Sequence, residues 1–235
     1  MSVPKSVARH AKTLASDGVV VLDGYLDEAA CDSVRRRIES TFEEGIPEAA
    51  PDEDYGDLVS RGEPVVNRRS GKWDDGMLDV FNMASEISEL ASFKQDDDIA
   101  QIVERATEEP YSPDNVNVYI NRSVTNTRDF HADTYTGKFK SFLYLTDVPD
   151  ESYGPFSYVR GSHEKSALIR RGSKLVNRVR GSPETDAVVY DESDRVVCTA
   201  SKGTLIIADQ SGYHRGIPQD EGRERMLATT SYTPK

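Results

Sequence analysis

The spacing of apolar residues changes character near Pro110. Before it, helical periods dominate. Ser2 and Pro4 mark a helix start, and Gly18 marks its end. Val19, Val20, Val21 and Leu22 form a short apolar run between Gly18 and Gly24, which predicts one buried strand. Asp27 then caps a second helix. Ala30, Val34, Ile38 and Phe42 recur every fourth residue as its buried stripe, and Gly45 and Pro47 stop it. Residues 46–72 are rich in Pro, Gly, Asp and Glu and predict a long irregular loop of the functional or mobile kind. Further helices are predicted over 79–93 and 97–107.

After Pro110 the pattern alternates with the period of two that puts successive side chains on opposite faces of a strand. Strands are predicted over 116–121, 138–147, 156–159, 187–190, 196–200, 204–208 and 226–232. Short strands at this spacing predict an antiparallel barrel or jelly roll with the helices packed outside. The whole chain, 1–235, reads as a single domain. In it, 1–110 is a mostly helical flank with one strand and a long loop, and 111–235 is the jelly-roll core. A β-sandwich without a metal is the alternative.

Composition narrows the function. The chain is 37% hydrophobic and 30% charged, enough for a real core. Its net charge of −12 disfavours nucleic acid and anionic membranes, which attract basic surfaces. One basic stretch, Arg160 to Arg180, reads as a solvated loop, with an anionic-substrate contact as the other reading. The two cysteines, Cys31 and Cys198, form no disulfide pattern and fit a reducing compartment. The N-terminus is too polar for a signal peptide and no apolar run would span a bilayer, so a cytoplasmic monomer or homodimer acting on a small molecule is expected.

Candidate chemistry rests on the histidines, His10, His131, His163 and His214. His10 falls on a polar helix. His131 and Asp133 form a His-x-Asp pair, and on a strand residues two apart share a face, so both can reach one metal ion. A second histidine from a distant strand would complete one face of an octahedron and leave three positions open. A structural zinc site would instead close its tetrahedron with protein ligands. The other reading of His-x-Asp is a hydrogen-bonded pair in a turn.

The surroundings form an ordered series. Asp129-Phe130-His131-Ala132-Asp133 is followed by a strand from Phe139 to Val148, then Gly154-Pro155-Phe156 and Arg160-Gly161-Ser162-His163. Gly203 to Asp209, His214 and Arg225-Met226-Leu227 complete it. Over 115–235 this resembles the phytanoyl-CoA dioxygenase (PhyH-like) family of Fe(II)/2-oxoglutarate oxygenases. The resemblance implies a double-stranded β-helix, a cupin-like jelly-roll barrel with flanking helices. It implies His131, Asp133 and His214 as iron ligands, with Fe(II), 2-oxoglutarate and O2 as cofactor and co-substrates. It also implies a late arginine on the distal carboxylate of 2-oxoglutarate. Arg223 and Arg225 compete for that role. Arg225 lies eleven residues beyond His214, the family's spacing, and opens the last strand, where it can point inward. Arg215 is expected on the opposite side. A planar guanidinium suits a carboxylate because it donates two parallel hydrogen bonds.

Asn117 and Tyr119 share a face before the His-x-Asp pair and are candidate 2-oxoglutarate contacts, with a core tyrosine as the other reading of Tyr119. Thr134 is a further candidate. His163 is the rival metal ligand but fits a structural or substrate-side role. Trp73 and Asp74-Asp75 are candidates for the substrate mouth, or for ordinary packing. Asp96-Asp97-Asp98 reads as a helix-start charge cluster. Related halogenases carry a small residue in place of the carboxylate, so Asp133 implies hydroxylation, or a related oxidation, of a small-molecule metabolite with release of succinate and CO2. The competing reading is a non-redox metal-binding jelly roll, either an isomerase-like enzyme or a small-molecule binding module.

Overall fold

The computed structural model describes residues 5–50, 53–165 and 167–235. Helix α1 (Lys5–Asp17) ends at Gly18, whose positive φ lets its N–H turn back to the carbonyl of Leu14. The start expected at Ser2 and Pro4 lies outside the described residues. Strand β1 (Val19–Leu22) follows, then α2 (Glu28–Glu44), capped by the Asp27 carboxylate accepting from the Ala30 N–H at 2.8 Å. Cys31, Val34 and Ile38 are its buried stripe, while Ala30 and Phe42 sit at the margin.

The segment expected to be an irregular loop instead folds into α3 (Tyr55–Ser60) and β2 (Val65–Arg68). The helix expected over 79–93 is divided. It gives β3 (Leu78–Phe81), a 3-10 turn at Met83–Ser85, and α4 (Ser88–Lys94). A segment as short as Leu78-Asp79-Val80-Phe81 does not by itself distinguish strand from helix. The break is made at Asn82, which takes a left-handed conformation while its amide donates to the carbonyls of Leu58 and Glu63. Helix α5 (Asp97–Thr107) begins as expected, with Asp96 accepting from the N–H groups of Asp98 and Ile99.

Strands β4 (Tyr111–Arg122), β5 (Phe139–Tyr144) and β6 (Phe156–Val159) come next. The basic stretch is not a loop but largely helix α6 (Ala167–Arg180), which turns Ser173 and Asn177 inward. Strands β7 (Arg195–Val197), β8 (Leu205–Asp209), β9 (His214–Gly216) and β10 (Glu224–Pro234) complete the chain. No strand forms at 187–190. There Ala187 gives one backbone hydrogen bond to Phe130, and neither flank continues a ladder.

The protein is mainly β, with antiparallel sheets and packed helices. The large sheet has the order β1-β8-β5-β10-β4-β3-β2, and the small one β7-β6-β9. β1, β2 and β3 all belong to the large sheet, so the described residues before Pro110 supply three strands rather than one, and Pro110 is no structural boundary. One face of the large sheet packs Val118, Ile120, Leu143, Ile207 and Met226 against α2 and α5 through Val34, Ile38, Ile99 and Val103. The other face meets the small sheet, where Phe142, Ile206 and Leu227 pack with Phe156 and Tyr158, and the Phe142 and Phe156 rings lie 4.7 Å apart. The fully buried Tyr144 hydroxyl links the two sheets. It donates to the Cys198 carbonyl and accepts from the Phe156 N–H, each at 3.0 Å. The apolar layer between the sheets draws on β1, β8, β5 and β10, and beyond β10 the same face turns polar. Both cysteines are buried and free, and no described helix is long and apolar enough to cross a membrane.

Candidate metal centre

His131 is not on a continuous strand. It makes isolated bridges to Asp186 and to His214, the first residue of β9. The N–H of His131 donates to the His214 carbonyl at 3.0 Å, and the return bond is 2.9 Å. This reciprocal pair puts two residues far apart in sequence side by side. Asp133 is then held by its own N–H, which donates to the Gln210 carbonyl at 3.0 Å. The sharing of one face therefore comes from cross-chain anchoring, not from a shared strand.

The imidazoles are oriented by the backbone. Nδ1 of His131 lies 2.7 Å from the Asp129 carbonyl, and Nδ1 of His214 lies 3.0 Å from the Gly212 carbonyl. A carbonyl only accepts, so each Nδ1 carries the proton and each Nε2 keeps its lone pair. Those Nε2 atoms lie 3.6 and 3.5 Å from Oδ1 of Asp133. All three ligand atoms fall within 4.8 Å of one another, close enough for one ion to bridge. Burial pushes the His214 pKa down, which outweighs the opposing pull of Asp133 and favours the neutral, ligating form. Burial also pushes the Asp133 carboxyl up. The Lys140 ammonium beside it reverses this and holds it well below the usual carboxylate range. Two imidazoles and one carboxylate suit a first-row divalent ion and leave coordination positions free.

Asp133 uses its two oxygens differently. Oδ1 faces the histidines, while Oδ2 lies 2.6 Å from Nζ of Lys140 on β5. Lys140 escaped the sequence reading, although its signal was present: a lysine on the strand row shared with Phe142, which faces inward.

Arg225 lines the same cavity as the three residues. It is 7% exposed, and its guanidinium has no hydrogen bond or ion pair, with Nε fully buried. Burial pushes its pKa down, outweighing the opposing pull of Tyr144 and Asp74, neither of which pairs with it. Beside it Asn121, its register partner on β4, has a buried Oδ1 with no donor. A guanidinium without a counter-ion suits a carboxylate, and it lines the same cavity as the three candidate ligands. Asn121 is a second omission, and the alternation of Asn117 and Tyr119 already placed it on their face.

The remaining candidates separate. Tyr119 lines the cavity, and its ring lies 5.8 Å from the Arg69 guanidinium. Asn117 lines it too, and its amide donates to Asp79 and accepts from Asn115, each at 2.9 Å. Thr134 does not line the cavity. The chain turns away after Asp133, and its hydroxyl pairs with Thr136 at 2.8 Å. Arg223 points outward to the Tyr153 hydroxyl. Arg215 reaches the cavity wall, contrary to expectation, because β9 is only three residues long; it is committed to Asp129 at 2.7 Å. His163 is remote from the cluster and pins the end of α1 through the Ala15 carbonyl. Trp73 is outside the cavity and packs under Lys72 and Arg128, whereas Asp74 is in its wall.

No family model and no curated protein sequence matches this chain. Solved structures do. The fold is similar to that of SnoN, a non-heme alpha ketoglutarate dependent epimerase from nogalamycin biosynthesis (TM-score 0.65, 17% identity, 99% of this chain and 82% of that one). It is similar to HygX from Streptomyces hygroscopicus, solved with nickel and 2-oxoglutarate bound (TM-score 0.65, 14% identity, 100% and 88%). It is also similar to SnoK, a non-heme alpha ketoglutarate dependent carbocyclase (TM-score 0.62, 16% identity, 98% and 84%). At these identities the likeness establishes the fold, and the function is argued from the site.

Proposed function

We propose that this chain is a non-haem Fe(II), 2-oxoglutarate-dependent oxygenase of the PhyH-like kind, built on a double-stranded β-helix. His131, Asp133 and His214 hold the iron, and Arg225 holds the distal carboxylate of 2-oxoglutarate. The observation that carries this reading is one juxtaposition: three ligand atoms within 4.8 Å of one another, in the same cavity as a buried guanidinium without a partner. A module that merely binds a small molecule has no use for both. When bound, Fe(II) and 2-oxoglutarate supply O2-dependent oxidation of an unactivated C–H bond, with release of succinate and CO2.

The chain's own residues do the positioning. The Asp129 and Gly212 carbonyls fix the imidazole tautomers. Lys140 occupies the second oxygen of Asp133 and leaves the first for the ion. Phe142, Phe156 and Leu227 form an apolar wall that excludes water from one side. We assign hydroxylation of a small molecule as the outcome, since Asp133 keeps the carboxylate in place. The fold relatives named as an epimerase and a carbocyclase make a non-hydroxylating oxidation the second reading.

Anaerobic addition of Fe(II) and 2-oxoglutarate tests the assignment. A weak visible charge-transfer band is expected in the native protein and not in His131→Ala. A native protein that binds the metal yet gives no band with 2-oxoglutarate would return the chain to the non-redox reading. Succinate release over a metabolite panel then separates substrates, and product mass separates hydroxylation from the other outcomes.

A further inference from the structure

The large sheet extends beyond the small one, and there its inner row is polar. Asn115 and Asn117 on β4, Asp79 on β3 and Asn67 on β2 all line the cavity, which measures about 490 Å³. Strand alternation puts apolar residues at inward positions when a strand only packs. Polar residues repeated along that row are therefore a surface made to be met by something polar.

The charges on this surface are unequal. Among the described residues Arg69 is the only cation within 4 Å of the Asp79 and Asp74 carboxylates, at 3.6 and 3.5 Å, too long for good hydrogen bonds. Asp79 is 3% exposed, and burial raises its pKa to about 6 despite Arg69 and the Asn117 amide. Two carboxylates thus share one guanidinium and leave excess acceptor capacity. Farther along the inner row, Thr229 is 4% exposed and its hydroxyl has no partner. Tyr119 and Phe81 add ring faces to the same wall.

We propose that this half of the cavity is the substrate subsite and that it takes a neutral or amine-bearing polyol, of the sugar or cyclitol type. The proposal rests on the oxygenase reading for its role in turnover. An acyl chain would leave the Thr229 hydroxyl without a partner and give Asp79 no donor beyond the Asn117 amide and Arg69, which apolar contact does not offset. An anionic substrate would face Asp79 and Asp74. Hydroxyl and ammonium groups supply the missing donors, and the C–H faces of a ring pack on Tyr119.

The test is calorimetric titration of the full-length protein loaded with Ni(II) and 2-oxoglutarate. The probes are methyl glucoside, 2-deoxystreptamine, glucuronate and decanoate at millimolar concentration. Saturable binding of 2-deoxystreptamine or methyl glucoside, with glucuronate and decanoate at least tenfold weaker, is the expected result. Asp79→Asn should weaken the amine by roughly tenfold or more while 2-oxoglutarate affinity stays unchanged. Thr229→Val keeps the side-chain volume and removes only an unpartnered hydroxyl. It should weaken the polyol severalfold without lowering the melting temperature, so misfolding of one variant cannot hide the answer. Decanoate or glucuronate binding as well as the polyols, no polyol binding at all, or unchanged polyol affinity in both variants overturns the subsite. If Ni(II) and 2-oxoglutarate fail to bind, the oxygenase reading fails instead, and the same titration on metal-free protein still decides the subsite.

Discussion

Replacing Arg225 by Met separates a ligand-binding guanidinium from a structural one, because the two roles give opposite signs. The native side chain is 7% exposed and makes no hydrogen bond or ion pair. In the absence of 2-oxoglutarate it is a buried charge with uncompensated desolvation. Met keeps most of the apolar stem and removes the charge. The metal-free protein should therefore be more stable by about 1–3 kcal/mol, the range for an unsatisfied buried polar group. For a chain of this size that raises the melting temperature by roughly 2–12 °C. Affinity for 2-oxoglutarate should move the other way. Truncating one partner of a buried, hydrogen-bonded charge pair costs about 2–5 kcal/mol, so binding should weaken by at least roughly 30-fold. Differential scanning fluorimetry without ligand and calorimetric titration of 2-oxoglutarate into the Ni(II) protein measure the two effects. A lower melting temperature would show that Arg225 holds the fold together. Unchanged 2-oxoglutarate affinity would remove it from the site, and Arg223 would be tested next.

Lys140→Met removes the 2.6 Å contact to the outer oxygen of Asp133 and should weaken Mn(II) or Ni(II) binding by about 10–100-fold, with partial rescue by Arg; unaltered metal affinity would deny it a positioning role. Asp79 has a folded-state pKa near 6, above its unfolded value. Its contribution to stability is therefore present at low pH and declines as pH rises from about 4 to 6. Asp79→Asn should be more stable than the native protein above pH 6, by up to about 3 kcal/mol, and should lose that advantage near pH 4 in urea melts. Gly203 adopts φ +86°, and a side chain there would run into the Leu26 carbonyl. Gly203→Ala should cost about 2–4 kcal/mol by chemical denaturation, and a change under about 0.5 kcal/mol would contradict the geometry.

Local features were legible in the sequence because their causes are local. Asp27 and Asp96 cap helices through their own carboxylates, and Gly18 ends one because it tolerates positive φ. The alternation along β4, β5 and β10 is printed in the chain because one face meets helices and the other a cavity or a second sheet. The His-x-Asp pair and the late arginine stood out as residues for which a purely apolar interior has little use. The misreadings came where partners decide the matter. Leu78–Phe81 is a strand because β2 and β4 flank it, and α6 is a helix whose inward Ser173 and Asn177 are masked in sequence by its arginines. Asn117 lines the cavity as its alternation implies, but its bond to Asp79, 38 positions earlier, could not be read from the sequence.

Sequence alone determined which side chains were available for chemistry and, along the longer strands β4, β5 and β10, the face they occupy, since both follow from residue identity and a period of two. Only tertiary structure decided convergence: the reciprocal backbone bonds between His131 and His214, Lys140 beside Asp133, and the empty-handed guanidinium of Arg225. The physical reason is that strand pairing sums weak, partner-dependent hydrogen bonds over distant segments, and no local stretch of chain encodes which partner it will meet.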